Sequence, residues 1–346
     1  MKEPKEELKE AVLWEKVEGG KVKCGLCNFR CLISDGGYGH CRVRKNMGGV
    51  LYSLVYDKVC ATNDDPIEKK PLFHFQPGSR SFSIATPGCN FQCRFCQNWQ
   101  ISQMAVEEGR IEGRVYSPED IVSAAERTGC QSIAYTYTEP TVFMELCADT
   151  GKLAKKRGLA NVFVSNGYMT KEAIDFAKWW LDGINVDLKS LDEDYYNNLC
   201  RAKLEHVLDT IRYIAKGTDI WMEITTLVVP GENDSDEELR NVAEFIAKEA
   251  GLDVPWHVSR FYPNYEMRSV GATPPATLER AYDIGKAAGL RYIYVGNLPG
   301  ARAESTFCYD CGMMLIERVG YRIVRNEIKN QRCPRCGAEI AGFGLD

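Results

Sequence analysis

From about residue 79 to 297 the chain alternates short apolar runs with stretches of helical periodicity. The runs SFSIAT, SIAYTY, NVFVS, GINVDL, IWMEITTLVV, WHVSRFY and RYIYV are rich in β-branched and aromatic residues and read as strands. Helix starts lie between them: Ser117 before Pro118, Glu119 and Asp120, Thr170 before Lys171 and Glu172, and Ser235 before Asp236, Glu237 and Glu238. A strand followed by a helix, repeated, predicts a parallel sheet, because parallel neighbours connect through right-handed helical crossovers. Six or seven such units fit a partial or full (β/α) barrel of the α/β class better than one small sheet. There is no internal repeat and no low-complexity segment.

Polar residues stand immediately after these strands. SFSIATPG leads into three cysteines, SIAYTY into Thr138 and Glu139, NVFV into Ser165 and Asn166, GINV into Asp187 and Lys189, and RYIYV into Gly296 and Asn297. In a parallel barrel, ligands bind where the strands end at their carboxyl sides. Each loop alone is ordinary turn or cap chemistry; five pointing at one mouth predict a site.

Composition narrows the class. The 346 residues are 45% hydrophobic and 26% charged, and no uncharged apolar run nears the roughly 18 residues that span a bilayer. No membrane association is expected. The start, MKEPKEELKEAVLWEKVEGG, is charged and reads as a short surface helix rather than a signal peptide, so a cytoplasmic location is expected. A net charge of −5 argues against a nucleic-acid partner. The local stripe of Arg318, Arg322, Arg325, Lys329, Arg332 and Arg335 reads as a solvated face.

Fifteen cysteines in such a chain point to metal or redox chemistry rather than to disulfides. Cys60, Cys130, Cys147 and Cys200 stand alone and read as small buried hydrophobes. Cys24, Cys27, Cys31 and Cys41 form a closed set of four, fit for structural zinc or an auxiliary iron–sulfur cluster. Cys308 and Cys311 with Cys333 and Cys336 form two CxxC knuckles, each followed by glycine, as in zinc ribbons; zinc is expected, with rubredoxin-like iron the alternative. Cys89, Cys93 and Cys96 are three. Three soft thiolates on a centre that wants four ligands leave one position open, either at zinc or at a four-iron cluster with one iron free of protein. Three regions follow: a cysteine-rich extension over 1–75, a core barrel over 76–300, and a zinc-ribbon-like domain over 301–346.

The CxxxCxxC spacing with Phe95 just before the last cysteine, standing after the first strand of a β/α series, resembles the signature of the radical S-adenosylmethionine superfamily. The resemblance implies that Cys89, Cys93 and Cys96 hold a 4Fe-4S cluster whose free iron is chelated by S-adenosylmethionine. Reductive cleavage would then give a 5′-deoxyadenosyl radical that abstracts hydrogen from a substrate. Phe95 would lie near the adenine. The second strand, which in the family ends in a Gly-Gly-Glu-Pro-like stretch, reads Tyr137, Thr138, Glu139, Pro140; the glycines are absent, while Thr138 and Glu139 would meet the cofactor's amino group. Ser165 and Asn166 resemble the loop that addresses ribose or carboxylate, and Asp187 with Lys189 the Asp-x-Lys element of glycyl-radical-enzyme activating enzymes.

Over nearly its whole length the chain resembles the radical SAM enzymes of the AmmeMemoRadiSam system, relatives of pyruvate formate-lyase activating enzymes. This implies an electron donor such as ferredoxin or flavodoxin, and a protein substrate or companion proteins of that system. Modification of a small molecule, lipid or RNA with auxiliary clusters, and a non-catalytic zinc scaffold, are the alternatives. His257 reads as a core or rim residue. Glu223, inside an apolar strand, needs a partner and reads as facing the cavity or as a structural ion pair.

Overall fold

The computed structural model describes residues 8–298 and 302–346. The runs expected to be strands form β1 (Arg80–Ala85), β2 (Ser132–Tyr135), β3 (Ala160–Ser165), β4 (Gly183–Asp187), β5 (Trp221–Val228), β6 (Trp256–Arg260) and β7 (Ile293–Gly296). They lie side by side in chain order, each parallel to the next. An eighth strand, Ala61–Pro66, joins the β1 edge antiparallel. Burial on both faces explains the near-continuous apolar runs: every residue of Ser132–Tyr135 is buried, and nearly every residue of Ala160–Ser165 and Gly183–Asp187.

The sheet is curled but not closed. Laid flat, seven strands would extend about 29 Å at roughly 4.8 Å per neighbour. Yet residues from the carboxyl ends of all seven border a single cavity, which requires the sheet to bend into a partial barrel. The expected helix caps are all formed: Ser117 makes a reciprocal capping box with Asp120, Thr170 accepts from the Ala173 N–H, and Ser235 from the Glu238 N–H. Among the described residues no helix is long and apolar enough to cross a membrane.

The start of the chain departs from expectation. Lys9–Glu10 and Trp14–Val17 are strands; residues 1–7 of the expected helix lie outside the described residues. Trp14–Val17 pairs antiparallel with Lys21–Cys24, so a ladder ending at Cys24 overrides a helix-favouring composition.

At the other end, Thr306–Phe307, Met314–Val319 and Arg322–Asn326 form a small antiparallel sheet. It shares a second core with the barrel, in which Leu315, Ile316 and Ile340 meet Phe73, Tyr292 and Tyr294. The basic stripe is therefore not all solvated. Arg318 is buried, donates through Nη1 to Thr306 Oγ1 at 2.7 Å and through Nη2 to the Phe73 carbonyl at 2.7 Å, and lies 4.5 Å over the Phe73 ring. Arg322, Arg325, Lys329, Arg332 and Arg335 remain exposed.

Polar groups stitch this end to the barrel. Glu223 is fully buried in β5 and accepts from the Phe73 N–H at 2.9 Å, the His74 N–H at 2.7 Å, the Trp221 indole at 3.0 Å and His257 Nε2 at 2.6 Å. It is a structural hub, and neither it nor His257 borders the cavity. Beside it, Arg318 donates to Thr306, Thr306 contacts Tyr294 OH at 2.7 Å, and Tyr294 OH lies 2.6 Å from His74 Nε2, whose Nδ1 lies 2.7 Å from the Ala341 carbonyl.

A consistent ordering of protons along that chain makes His74 a donor at Nδ1 and an acceptor at Nε2, which is the neutral ring. Burial pushes its pKa down to about 4 from the ordinary 6.5, against the pull of Glu223. A group depressed on folding binds its proton first in the unfolded chain. Stability should thus fall as pH drops from about 6.5 towards about 4, by up to about 1.4 kcal/mol per pH unit from this ring. Urea denaturation at stepped pH measures the slope, which His74→Gln should flatten.

Candidate functional site

The site begins where β1 ends. Gly88 has a φ of +102°, and a Cβ there would come 2.6 Å from Val43 Cγ1, so only glycine admits the turn into Cys89. The loop is pinned by main-chain bonds from Gln92 N to the Cys200 carbonyl at 3.1 Å and from Arg94 N to the Leu199 carbonyl at 2.9 Å. The Phe91 N–H reaches Cys89 Sγ at 3.3 Å, and Ser102 Oγ lies 3.3 Å from Cys96 Sγ. The neighbouring Cys200 thiol, and after it Lys189, lower the Cys93 pKa against burial, while burial raises Cys89 and Cys96.

Cys200, read from sequence as a lone hydrophobe, is buried as expected, stands beside Cys93, and through its carbonyl helps to pin the cysteine loop. It is the last residue of Tyr196–Cys200, a short π-helical turn capped by Arg201 in the left-handed region, φ +58°. The two cysteines are brought together only by the long loop after β4, so spacing along the chain carried no signal.

The residues expected downstream gather with the three thiols around a cavity of about 300 Å³. Phe95 lines it, with Lys189 Nζ 5.7 Å from its ring centre. Thr138 also lines it and donates through Oγ1 to the Thr86 carbonyl at 2.9 Å, tying the β2 loop to the β1 loop. Glu139 is buried and accepts four bonds: from Thr141 N at 3.0 Å, Thr141 Oγ1 at 2.5 Å, Ser165 Oγ at 2.8 Å and Asn166 N at 2.8 Å. Burial raises its pKa and these donors oppose the rise. Three of these bonds fall on Oε1 and one on Oε2, so the carboxylate fixes the β3 loop while Oε2 keeps acceptor capacity. Asn166 Nδ2 then donates to Asn90 Oδ1 at 2.7 Å, beside Cys89.

Lys189 is buried and donates to Asp187 Oδ2 at 2.9 Å. Burial pulls its pKa down, but Asp187 and Cys93 hold it well above the ordinary lysine value. The turn in LVVPGENDS supports it, since Asn233 Nδ2 donates to the Lys189 carbonyl at 2.6 Å.

Sequence reading passed over one further group. Lys70 is buried at the cavity wall and donates to Asp65 Oδ2 at 2.6 Å, an oxygen that also accepts from Tyr137 OH. Burial lowers Lys70 to about 8, and its bond to Asp65 opposes the shift. Tyr137 holds a φ of +65°, the left-handed conformation suited to the glycine it replaces. Only those absent glycines hinted at this.

The set fits a soft-metal centre with a polar ligand beside it. Three thiols form the metal side, and Thr225 Oγ1, buried on the cavity wall, has no hydrogen-bond partner among the described residues. A larger cavity of about 790 Å³, lined by Tyr282, Tyr292 and Phe307, lies apart and holds no thiol.

The C-terminal quartet is compact. Its four Sγ atoms lie within 4.8 Å of one another, with Cys308–Cys336 and Cys311–Cys333 each at 3.6 Å. Four sulfurs about 2.3 Å from one tetrahedral zinc stand about 3.8 Å apart. Among the described residues no other cysteine set is gathered so tightly. The N-terminal quartet, with Cys24 and Cys41 buried and Cys27 and Cys31 half-buried, is separate from it.

Residues 83–246 match the radical SAM superfamily. The chain is 43% identical over 335 residues, 96% of its length and 99% of the relative's, to the uncharacterized protein MJ0808 of Methanocaldococcus jannaschii. It is 29% identical over 186 residues, 53% of its length and 68% of the relative's, to MJ1632 of the same organism, described as a candidate glycyl-radical enzyme activating enzyme. Among solved structures, a radical SAM methyltransferase from Sphaerobacter thermophilus shares the fold with a TM-score of 0.50 at 16% identity, covering 69% of this chain and 71% of that one.

Proposed function

Because the chain belongs to the radical SAM superfamily, we propose that it cleaves S-adenosylmethionine reductively at a 4Fe-4S cluster on Cys89, Cys93 and Cys96, and takes a hydrogen atom from a substrate. The observation that carries this reading is the trio of thiols at the point where seven strand ends converge beside a buried lysine. When bound, the reduced cluster would supply one electron to S-adenosylmethionine, splitting its C5′–S bond into methionine and a 5′-deoxyadenosyl radical.

The chain's own residues bind, orient and exclude. Lys189, charged and desolvated, is placed to receive a carboxylate, with Asp187 holding its Nζ. Phe95 offers an apolar wall for an adenine. Thr138, Ser165 and Asn166 set the loop backbones that meet the rest of the ligand, and Glu139 keeps those loops in register. The Cys200 thiol steadies the Cys93 sulfur. At the C-terminal quartet we assign zinc, on the 3.6 Å sulfur separations.

Similarity to activating enzymes favours a protein as the hydrogen donor, with an iron–sulfur or flavin protein supplying electrons, in keeping with the AmmeMemoRadiSam system. The division at about residues 75 and 300 belongs to the same proposal. The test is anaerobic: load the chain with iron and sulfide, reduce it, add S-adenosylmethionine and measure 5′-deoxyadenosine by chromatography. A folded chain that carries its cluster and forms none overturns the reading.

A further inference from the structure

We propose that Cys24, Cys27, Cys31 and Cys41 hold a second iron–sulfur cluster that passes electrons to the Cys89–Cys96 loop. The metal assignment stands on this quartet alone; the electron-passing role rests on the function proposed above.

The quartet is built against the site. Cys27 makes a β-bridge with Met169, the Asn28 N–H donates to the Tyr168 carbonyl at 3.1 Å, and Thr170 Oγ1 donates to the Gly25 carbonyl at 2.7 Å. These bonds fasten it to the loop that carries Ser165 and Asn166. On its other side the Cys41 carbonyl lies 3.5 Å from where a Cβ of Gly88 would stand, next to Cys89. Aromatic rings bridge the two cysteine sets. Phe29, between Cys27 and Cys31, lies 4.9 Å from the Tyr168 ring, and Tyr168 lies 5.2 Å from Phe91, between Cys89 and Cys93.

Charge points to a metal–thiolate centre. Arg44 is 2% exposed and pairs with Glu145 at 3.0 Å, yet its Nε and Nη1 have no hydrogen-bond partner among the described residues. Its other electrostatic neighbours are Cys24, Cys41 and Cys27. Four thiolates around a metal carry net negative charge and would compensate those buried N–H groups; neutral thiols would leave them stranded. The Cys31 sulfur also accepts from the His40 N–H at 3.3 Å.

Spacing selects a cluster over zinc. No three sulfurs here are gathered within the 4.8 Å that the C-terminal quartet achieves. In a cubane each cysteine binds a different iron, so its sulfurs stand farther apart than four on one zinc ion. The step is a single electron passed from a reduced one-electron donor protein to this cluster and on to the central one; no atom or proton moves.

The test starts from the full-length chain with Cys89, Cys93 and Cys96 all changed to alanine, loaded anaerobically with iron and sulfide. About four iron and about four sulfide per chain, with a paramagnetic signal on reduction, are expected to remain. Zinc without sulfide at this quartet, or no metal, overturns the assignment. For the electron role, central-cluster bleaching by reduced flavodoxin is followed in Cys24→Ser/Cys27→Ser and in Phe29→Leu, which keeps all four ligands. A rate lowered about tenfold or more in the double variant supports the role. An unchanged rate overturns it. Where the double variant also loses central iron, Phe29→Leu decides, with slowed bleaching for the role and wild-type bleaching against it. Bleaching is read without deoxyadenosine, so a chain that carries both clusters and cleaves nothing would sink the radical reading and leave this one standing.

Discussion

In the Cys93→Ala variant, 5′-deoxyadenosine formation is expected to fall at least about a thousandfold, to the background of the assay. Metal at the C-terminal quartet is expected to stay at the wild-type level. Cys93 is the most committed of the three thiols: it is the buried one, and the one whose pKa is lowered, by the neighbouring Cys200 thiol and by Lys189. Removing it leaves two ligands and strands the positive charge of Lys189 beside Asp187 alone. The C-terminal quartet closes within its own four sulfurs, so its metal should not respond. Anaerobic product assay and metal analysis on the same preparation read both outcomes. Retained activity would refute the three-cysteine assignment, and loss of every metal together would mean the centres form one structural system.

The second large effect concerns stability. Glu223→Ala removes the shared acceptor of two backbone N–H groups, the Trp221 indole and His257. Each stranded donor costs about 1–3 kcal/mol. Because the losses overlap, a net destabilisation of about 4 kcal/mol is expected, much of the 5–15 kcal/mol that holds a typical domain. Glu223→Gln keeps the shape and one acceptor but turns an amide N–H toward another donor, so about half that loss should result. Urea midpoints check both. A midpoint for the alanine variant within about 0.5 kcal/mol of wild type would remove Glu223 from its place as hub.

What could be seen in the sequence, and what could not, divides along a physical line. The strands of the barrel were visible because burial on both faces leaves little choice but apolar residues, and Ser117, Thr170 and Ser235 because a cap acts on an N–H three residues away. Cys89, Cys93 and Cys96 were visible because their spacing is itself local. Contacts made by the fold were hidden. Cys200 looked like any small hydrophobe until a turn ending at Arg201 set it on Cys93. Arg318 sat in a run of cations and proved to be the one buried among them. Lys70 and Asp65 precede the barrel's first strand, where no alternation marks a cavity wall. Trp14–Val17 became a strand because its partner, Lys21–Cys24, is fixed by the cysteine that ends it.

Tyr137 gives the mouth of the barrel a mechanical character. A non-glycine residue at φ +65° stores about 1–3 kcal/mol in its backbone. Its ring is held from outside by the phenol–carboxylate bond to Asp65, by the Asn63 amide at 3.0 Å and by Lys70 over its face at 4.8 Å. The next two residues are Thr138 and Glu139. The tension in the Tyr137 peptide is therefore held at Asp65, outside the cavity, while the residues it positions form the cavity wall.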